Sequence, residues 1–488
     1  MAEAISPRTF DRSLSSDVLE SFLAVEVAIT MSEKVKTLLE KTLQNHSWRQ
    51  QQCVNLIPSE MTPSPLVRLI QVTDPVGRYA EHNFLPQLNR EVYYYQGTKF
   101  IEWVEQQLVQ ELGQYLGTEL VEPRLISGQT ANMAVFSALV AFRNRDKKQG
   151  ELERIGGVLN HHLNLGGHLS AQAMGPLRDY VARDPATGRF MIKHFPVRQD
   201  NPYQVDVEAT ASLLETFTPE LIIFGKSMFI CREPVKEICQ ILSRLKQKPL
   251  VMYDAAHVLG ILGPAFQDPF AEGANIVTGS THKTFYGTQR GIIAARFDPD
   301  SPHAALWDHI RRRAFPGFLS NHHLGTLLGL FLATMEMNTY RESYQTQVLK
   351  NAKAFARALH HCGIQVEGDP AVDYTETHQV LVRVGAHMGI EAAERLEESN
   401  IIVNYQALPG DENFAASSGI RMGVAEMTRF GMREQDFQEL AELIADVLLR
   451  GRRVADAVVK LRSRFLQMQY CFAPQDWPKL TEKLLATF

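Results

Sequence analysis

The sequence predicts an α/β protein: a mostly parallel sheet covered by helices on both faces, followed by a smaller α+β domain. Three observations lead there. Short, continuously apolar segments at residues 156–159, 221–224, 250–253, 274–278 and 291–296 read as strands, and segments at 130–142, 233–245 and 321–337 read as helices between them. Strands apolar on both faces and separated by helices belong to parallel sheets buried under helices. From about residue 345 the order changes to helix (347–360), strand (379–384), helix (390–399), short strand (401–404) and long helix (434–449), which is the order of an α+β unit. At 488 residues the chain fits two or three units of ordinary size. The expected organisation is an N-terminal extension over residues 1–45, a large domain over 46–340 and a small C-terminal domain over 341–488.

In the extension, residues 19–29 form a short amphipathic piece. Ser32 then reads as the N-cap of a helix with apolar residues at Val35, Leu38, Leu39 and Leu43. Apolar residues make up 45% of the chain and charged residues 22%, a soluble globular profile with core enough to need no disulfide or metal staple. The net charge is −5 and the pI about 6.4, which argues against nucleic acid or a membrane surface as partner. Cys53, Cys231, Cys239, Cys362 and Cys471 are scattered, odd in number and free of any Cys-x-x-Cys pair. Neither a disulfide framework nor a zinc site is expected, and the thiols are expected reduced in a cytoplasm. The start of the chain lacks the apolar block of a signal peptide. The longest apolar stretches, 134–142 and 326–335, are far short of a membrane span.

In parallel sheets, ligands bind where strands end, and the chemistry-bearing residues fall there. Thr281-His282-Lys283-Thr284 follows the fourth strand. A lysine desolvated at such a point loses basicity, and its free amine can attack an aldehyde. Taken alone, Lys283 reads more readily as a surface lysine. Asp254-Ala255-Ala256-His257 closes the third strand. A carboxylate there can keep a pyridine nitrogen protonated, or simply cap a helix. Ser127-Gly128-Gln129-Thr130-Ala131-Asn132 opens a helix, and its amides and hydroxyls suit an anion; the alternative is a plain cap. His168, in Gly166-Gly167-His168-Leu169, offers a flat ring to stack on an aromatic cofactor, or is structural. Arg421, in Ser418-Gly419-Ile420-Arg421, offers a fork for a carboxylate, or is solvated.

In this order the five pieces resemble the serine hydroxymethyltransferase family of fold-type-I pyridoxal-phosphate enzymes, over residues 55–449. Leu56-Ile57-Pro58-Ser59-Glu60, Arg78-Tyr79-Ala80-Glu81, Tyr94-Tyr95-Gln96-Gly97, Phe315-Pro316-Gly317 and Thr428-Arg429 match as well. The resemblance implies an aspartate-aminotransferase-like large domain and pyridoxal 5'-phosphate held as a Schiff base on Lys283. Asp254 would pair with the pyridinium and His168 stack on the ring. Ser127, Gly128 and Gln129 would contact the phosphate, with His282 adjoining it. Ser227 and His257 would lie near the phenolic oxygen, and Gly317 would complete the cofactor site. Arg421 and Ser59 would bind the substrate carboxylate. Glu81 would handle a proton, and Tyr79 and Tyr95 would shape the substrate pocket. In the family these last three come from the neighbouring subunit, so a homodimer with shared sites, alone or as a dimer of dimers, is implied. The reaction implied is aldol-type cleavage of a Cα–Cβ bond in a β-hydroxy amino acid.

The chain departs from the family pattern in several places on the folate side. Residues 82–92 are longer than expected. Phe318-Leu319-Ser320-Asn321-His322-His323-Leu324 replaces a glycine-rich run. Gln406 stands where an asparagine is usual, and Tyr286-Gly287-Thr288-Gln289-Arg290 is one residue longer than usual. With the cofactor residues kept and the folate side altered, the expectation is a folate-independent threonine aldolase or L-threonine transaldolase. The alternative is a tetrahydrofolate-dependent serine or α-methylserine hydroxymethyltransferase. His322 and His323 are expected either to line the pocket or to divide into a helix cap and an exposed residue.

Overall fold

The computed structural model describes residues 31–148, 151–246 and 248–488. The chain divides into two compact units, Met1–Gln52 and Cys53–Phe488. In the first, a helix over Met31–Ser47 passes into a π-helical turn over Trp48–Gln52. Val35, Leu38, Leu39 and Leu43 are all exposed on that helix. The amphipathic piece at 19–29 lies outside the described residues.

The second unit holds a seven-stranded sheet. Its strands are β1 (Leu120–Glu122), β2 (Val158–Asn160), β3 (Ile192–His194), β4 (Leu221–Phe224), β5 (Leu250–Asp254), β6 (Ile276–Ser280) and β7 (Gly291–Ala295). They lie in the order β1-β7-β6-β5-β4-β2-β3. All neighbours are parallel except that β7 runs against both β1 and β6. The connection from β6 to β7, residues 281–290, is too short for the crossover a parallel neighbour needs, so β7 returns antiparallel. That return loop carries Lys283.

Every residue of β4, β5, β6 and β7 is buried. Alternate side chains point to opposite faces. Ile222, Phe224, Val251, Tyr253, Val277 and Ile292 join one core with residues of the helices Lys99–Leu116 and Leu324–His361. Leu221, Ile223, Leu250, Met252, Ile276 and Ile293 join another with residues of the helices Gly128–Arg143 and Leu306–Arg312. Helices therefore cover both faces, as the two-sided apolar strands require. The edge strands β1 and β3 are three residues each, too short to show a period in sequence.

The segments expected as separate helices at 321–337 and 347–360 are one helix, Leu324–His361. The polar residues between them contain neither glycine nor proline, so nothing breaks the helix, and buried Tyr344 and Gln345 anchor that stretch. The helix runs through residue 340 without interruption.

Beyond it lies a four-stranded antiparallel sheet of β8 (Gln365–Val366), β9 (Gln379–Arg383), β10 (Asn404–Gln406) and β11 (Gly419–Gly423), in the order β8-β9-β11-β10. Its helices include Gly389–Glu397 and Glu434–Leu448. Val54–Asn55 pairs in parallel with Ile401–Ile402. The lengthened segment after Glu81 is a β-hairpin, His82–Leu85 paired with Arg90–Tyr93. Among the described residues no helix is long and apolar enough to cross a membrane.

Candidate active site

The carboxyl ends of β4, β5 and β6 lie side by side, and each passes directly into a segment with polar side chains. β4 leads to Gly225-Lys226-Ser227, β5 ends on Asp254, and β6 leads to Thr281-His282-Lys283. Gly225 has φ 127°, and a Cβ there would stand 2.3 Å from the Asp254 carbonyl oxygen, so only glycine lets the β4 exit pass so close. A Cβ on Gly128 would stand 2.3 Å from Ser280 Oγ, which brings the start of helix Gly128–Arg143 against the end of β6.

Asp254 is 2% exposed. Its Oδ2 accepts from His168 Nδ1 at 2.5 Å, Asn132 Nδ2 at 2.8 Å and Ser170 Oγ at 3.3 Å. Its Oδ1 accepts from the Ala256 amide at 3.0 Å. Burial works to raise its pKa, but the charge and hydrogen bond of His168, with Asn132 and the Ala256 amide, hold it down at about 2. The carboxylate is thus ionised at any ordinary pH. Asn132 is itself oriented, because its Oδ1 accepts from Thr278 Oγ1 at 2.6 Å.

Lys283 Nζ lies 3.1 Å from His257 Nε2. Burial pushes its pKa down to about 8, against the pull of Asp254 and with a further push from Arg421. A lysine so placed has a substantial neutral fraction near neutrality. Burial also pushes His257 well below the usual imidazole range and His282 down to about 4. The His282 Nδ1 is buried and has no hydrogen-bond partner among the described residues.

Arg421, on β11, is 8% exposed. It donates through Nη1 to the Ser227 carbonyl at 2.9 Å and through Nε to Asn404 Oδ1 at 3.3 Å. No ion pair to a carboxylate is found for it among the described residues, and burial pushes its pKa down to about 10. A buried guanidinium in that condition calls for an anion. The Ser227 amide donates to the Gly166 carbonyl at 2.7 Å, which ties the segment bearing His168 to the β4 exit. The His168 ring stands edge-on to that of His257, centroids 5.8 Å apart.

Ser127 Oγ accepts from the Thr130 amide at 3.1 Å and Thr130 Oγ1 accepts from the Ser127 amide at 3.0 Å, a capping box. The plain-cap reading of this motif is therefore met. The amides of buried Gly128 and exposed Gln129 sit in the first turn, where no intrahelical acceptor exists, so the anion reading stands beside it. Ser59 lies in the turn after Pro58, whose carbonyl is 3.3 Å from His378 Nε2. His378 is fully buried, its Nδ1 has no partner among the described residues, and burial takes its pKa down to about 3.

Tyr79, Glu81 and Tyr95 form a second group at the base of the hairpin. The Tyr79 and Tyr95 rings are 5.3 Å apart and both about half exposed, and the Glu81 carbonyl accepts from the Tyr94 amide at 2.9 Å. Among the described residues no hydrogen bond, ion pair or ring contact joins this group to Lys283, Asp254 or Arg421. Gly317 is exposed. The Gln406 side chain, on β10, donates to the neighbouring Ala407 carbonyl at 3.3 Å.

The departures at 82–92, 286–290 and 318–324 meet around Glu105. Its Oε1 pairs with His322 Nε2 at 2.6 Å, and its Oε2 accepts from Tyr93 OH at 2.7 Å and lies 3.5 Å from His82 Nδ1. Burial works to raise the Glu105 pKa, but His322 and His82 hold it below the carboxylate norm. Arg290 donates to the carbonyls of His322 and His323. His322 is therefore a buried partner of Glu105. His323 occupies the N-cap position of the long helix without a side-chain cap bond and is exposed.

Sequence reasoning placed Asn132 in the helix-start motif without a role of its own and missed Ser170, His378, Gln379 and Asn404. Asn132 alone carried a signal, as a polar residue inside an otherwise apolar helical run four positions from Gly128. The others sit in strands or turns that give no local hint.

A buried ionised carboxylate, an amine of lowered basicity, a guanidinium without a carboxylate partner among the described residues and a helix start at the carboxyl end of β6 fit pyridoxal phosphate group by group. A fold-type-I pyridoxal-phosphate enzyme is the class this sheet and this site define. A sequence model of serine hydroxymethyltransferase matches residues 32–444. A serine hydroxymethyltransferase of Pyrobaculum calidifontis is 37% identical over 444 residues, covering 90% of this chain and 95% of its own. That of Archaeoglobus fulgidus is 36% identical over 438 residues, covering 88% and 91%. Among solved structures, an L-threonine transaldolase from Pseudomonas fluorescens, in its internal aldimine state, superposes with a TM-score of 0.77 at 26% identity, covering 96% of this chain and 98% of that one. The chain belongs to the serine hydroxymethyltransferase family and is a pyridoxal-phosphate-dependent enzyme.

Proposed function

We propose that this enzyme cleaves the Cα–Cβ bond of threonine without folate, releases acetaldehyde and joins the remaining glycyl carbon to an acceptor aldehyde. The observation that carries this reading is the Glu105 cluster. Three departures from the family pattern, on the side where the family holds folate, are locked together by His82, Tyr93, His322 and Arg290. The likeness to a threonine transaldolase over 96% of the chain supports it.

When bound, pyridoxal phosphate supplies an aldehyde that takes up the substrate's amino group and a ring that draws electrons from Cα. The chain's residues do the rest. Lys283 offers the amine that holds the cofactor. Asp254 keeps a proton on the ring nitrogen, and His168 covers the ring face. Ser127, Gly128, Gln129 and His282 would hold the phosphate, Ser227 and His257 would lie by the phenolic oxygen, and Gly317 would border the site. Arg421 grips the substrate carboxylate beside Ser59. Glu81 takes the β-hydroxyl proton as Cα–Cβ breaks, with Tyr79 and Tyr95 around it, all three supplied by a second copy of the chain.

The test is to incubate the cofactor-loaded enzyme with threonine alone and to follow acetaldehyde with an NADH-linked reductase. Acetaldehyde should appear without folate and faster when a second aldehyde is added. Absence of acetaldehyde together with folate-dependent serine turnover would overturn the reading. That outcome defines the second reading, a folate-dependent hydroxymethyltransferase, which the names of the relatives at 36–37% identity favour.

A further inference from the structure

His257 is 3% exposed, and each of its ring nitrogens has one side-chain partner. Nε2 lies 3.1 Å from Lys283 Nζ, and Nδ1 lies 3.3 Å from the side-chain amide nitrogen of Gln379. Gln379 is fully buried at the first position of β9. Its Oε1 accepts from the Phe229 amide at 3.0 Å. A backbone N–H can only donate, so the oxygen end of the Gln379 amide is fixed on Phe229 and the NH2 end on the imidazole. An NH2 group can also only donate. Nδ1 must therefore be the lone-pair nitrogen, and the ring hydrogen sits on Nε2. That Nε2–H points at Lys283 Nζ, which can accept only when it is a neutral amine.

We propose that Gln379 is a positioning residue that fixes His257 as the Nε2–H tautomer and thereby favours the free amine of Lys283. The chain of one-way donors runs from the Phe229 amide through Gln379 and His257 to Lys283, and it spans both sheets. A doubly protonated His257 is excluded by the same contact, since its Nδ1–H would face the Gln379 NH2. The groups facing Lys283 are Asp254, Arg421, His257, His282 and His378, and those facing His257 are Lys283, Arg421, His168 and His378. Asp254 favours the ammonium, while burial, Arg421 and the His257 donor oppose it. The purpose of the device rests on Lys283 being the cofactor's lysine, but the hydrogen-bond chain stands without that assignment.

The test uses full-length, cofactor-free protein and has two readouts. Two-bond 15N–1H spectra of histidine-labelled protein, with the His257 signal assigned by its loss in a His257→Gln variant, report which ring nitrogen bears hydrogen. The pH profile of reductive methylation at Lys283, read by peptide mass, reports the amine's midpoint. The wild type should show hydrogen on Nε2. Gln379→Met keeps the side-chain length and removes the donor. It should give mixed tautomers and raise the Lys283 midpoint by about one pH unit, roughly a tenfold loss of free amine at neutrality. Gln379→Glu, which can only accept at both oxygens, should move the hydrogen to Nδ1. Hydrogen on Nδ1 in the wild type overturns the proposal with no variant needed. So does a Gln379→Met protein that only melts at lower temperature while the tautomer and the Lys283 profile stay unchanged. A pyridoxyl group found on another lysine after borohydride reduction of the loaded enzyme would instead reject the Lys283 assignment and leave this chain of bonds intact, whereas an unperturbed Lys283 profile in the wild type overturns the proposal.

Discussion

Asp254→Asn should lower the turnover of threonine by about 10²–10³-fold while the protein stays folded and still takes up its cofactor. The wild-type carboxylate is buried and held ionised by three side-chain donors and one amide, with its pKa held down at about 2. In the proposed function it faces the cofactor's ring nitrogen and keeps a proton there. Asparagine has nearly the same shape and no charge, so the proton is no longer held and the ring draws electrons from Cα less strongly. Removing one partner of a buried charge pair costs about 3–5 kcal/mol, and each ~1.4 kcal/mol at the barrier is a factor of about ten in rate. Steady-state kinetics beside a thermal melt separate the effect from unfolding. Unchanged turnover would show that Asp254 merely caps the segment after β5.

Arg421→Lys should leave the folded state intact and lower kcat/KM for the amino acid by about 10²–10³-fold, with most of the change in KM. The guanidinium is buried, fixed by the Ser227 carbonyl and Asn404, and makes no ion pair to a carboxylate among the described residues. Lysine keeps the charge but loses the planar fork that binds a carboxylate at two points. Disrupting one partner of a buried charged pair costs about 2–5 kcal/mol. The expected pattern is binding loss with the chemical step preserved. A fall in kcat at unchanged KM would move Arg421 from carboxylate recognition to the chemistry itself.

Much of the large sheet was legible because β4, β5, β6 and β7 are apolar on both faces. The strand ends pointed to Asp254 and Lys283 before any coordinate did. The edge strands β1 and β3 were not legible, being too short to show alternation. The hairpin after Glu81 read as a lengthened loop because its turn, Pro86-Gln87-Leu88-Asn89, lacks the Asn-Gly or Asp-Gly pair that announces a two-residue turn; Asn89 supplies the positive φ, 50°, instead. The single helix Leu324–His361 was split in two because its middle is polar on the surface and its anchors, Tyr344 and Gln345, are too few to give a period. The residues proposed to hold the cofactor carry local motifs. The roles of their supports were not legible, because Asn132 reaches Asp254 and Gln379 reaches His257 across more than a hundred residues of chain. Such contacts leave no local trace.

The central claim is that Lys283 carries the cofactor. Lys226 is the competing amine, 3% exposed and next to Ser227, but it is already engaged, bound to Glu233 at 3.0 Å and donating to the Tyr203 carbonyl at 2.7 Å. Borohydride reduction of the cofactor-loaded enzyme, followed by proteolysis and peptide mass analysis, locates the attachment. The account predicts the pyridoxyl mass on the peptide containing Lys283 and nowhere else, with no visible absorption band in Lys283→Ala. The mass on Lys226, or an unaltered absorption band in Lys283→Ala, would contradict it.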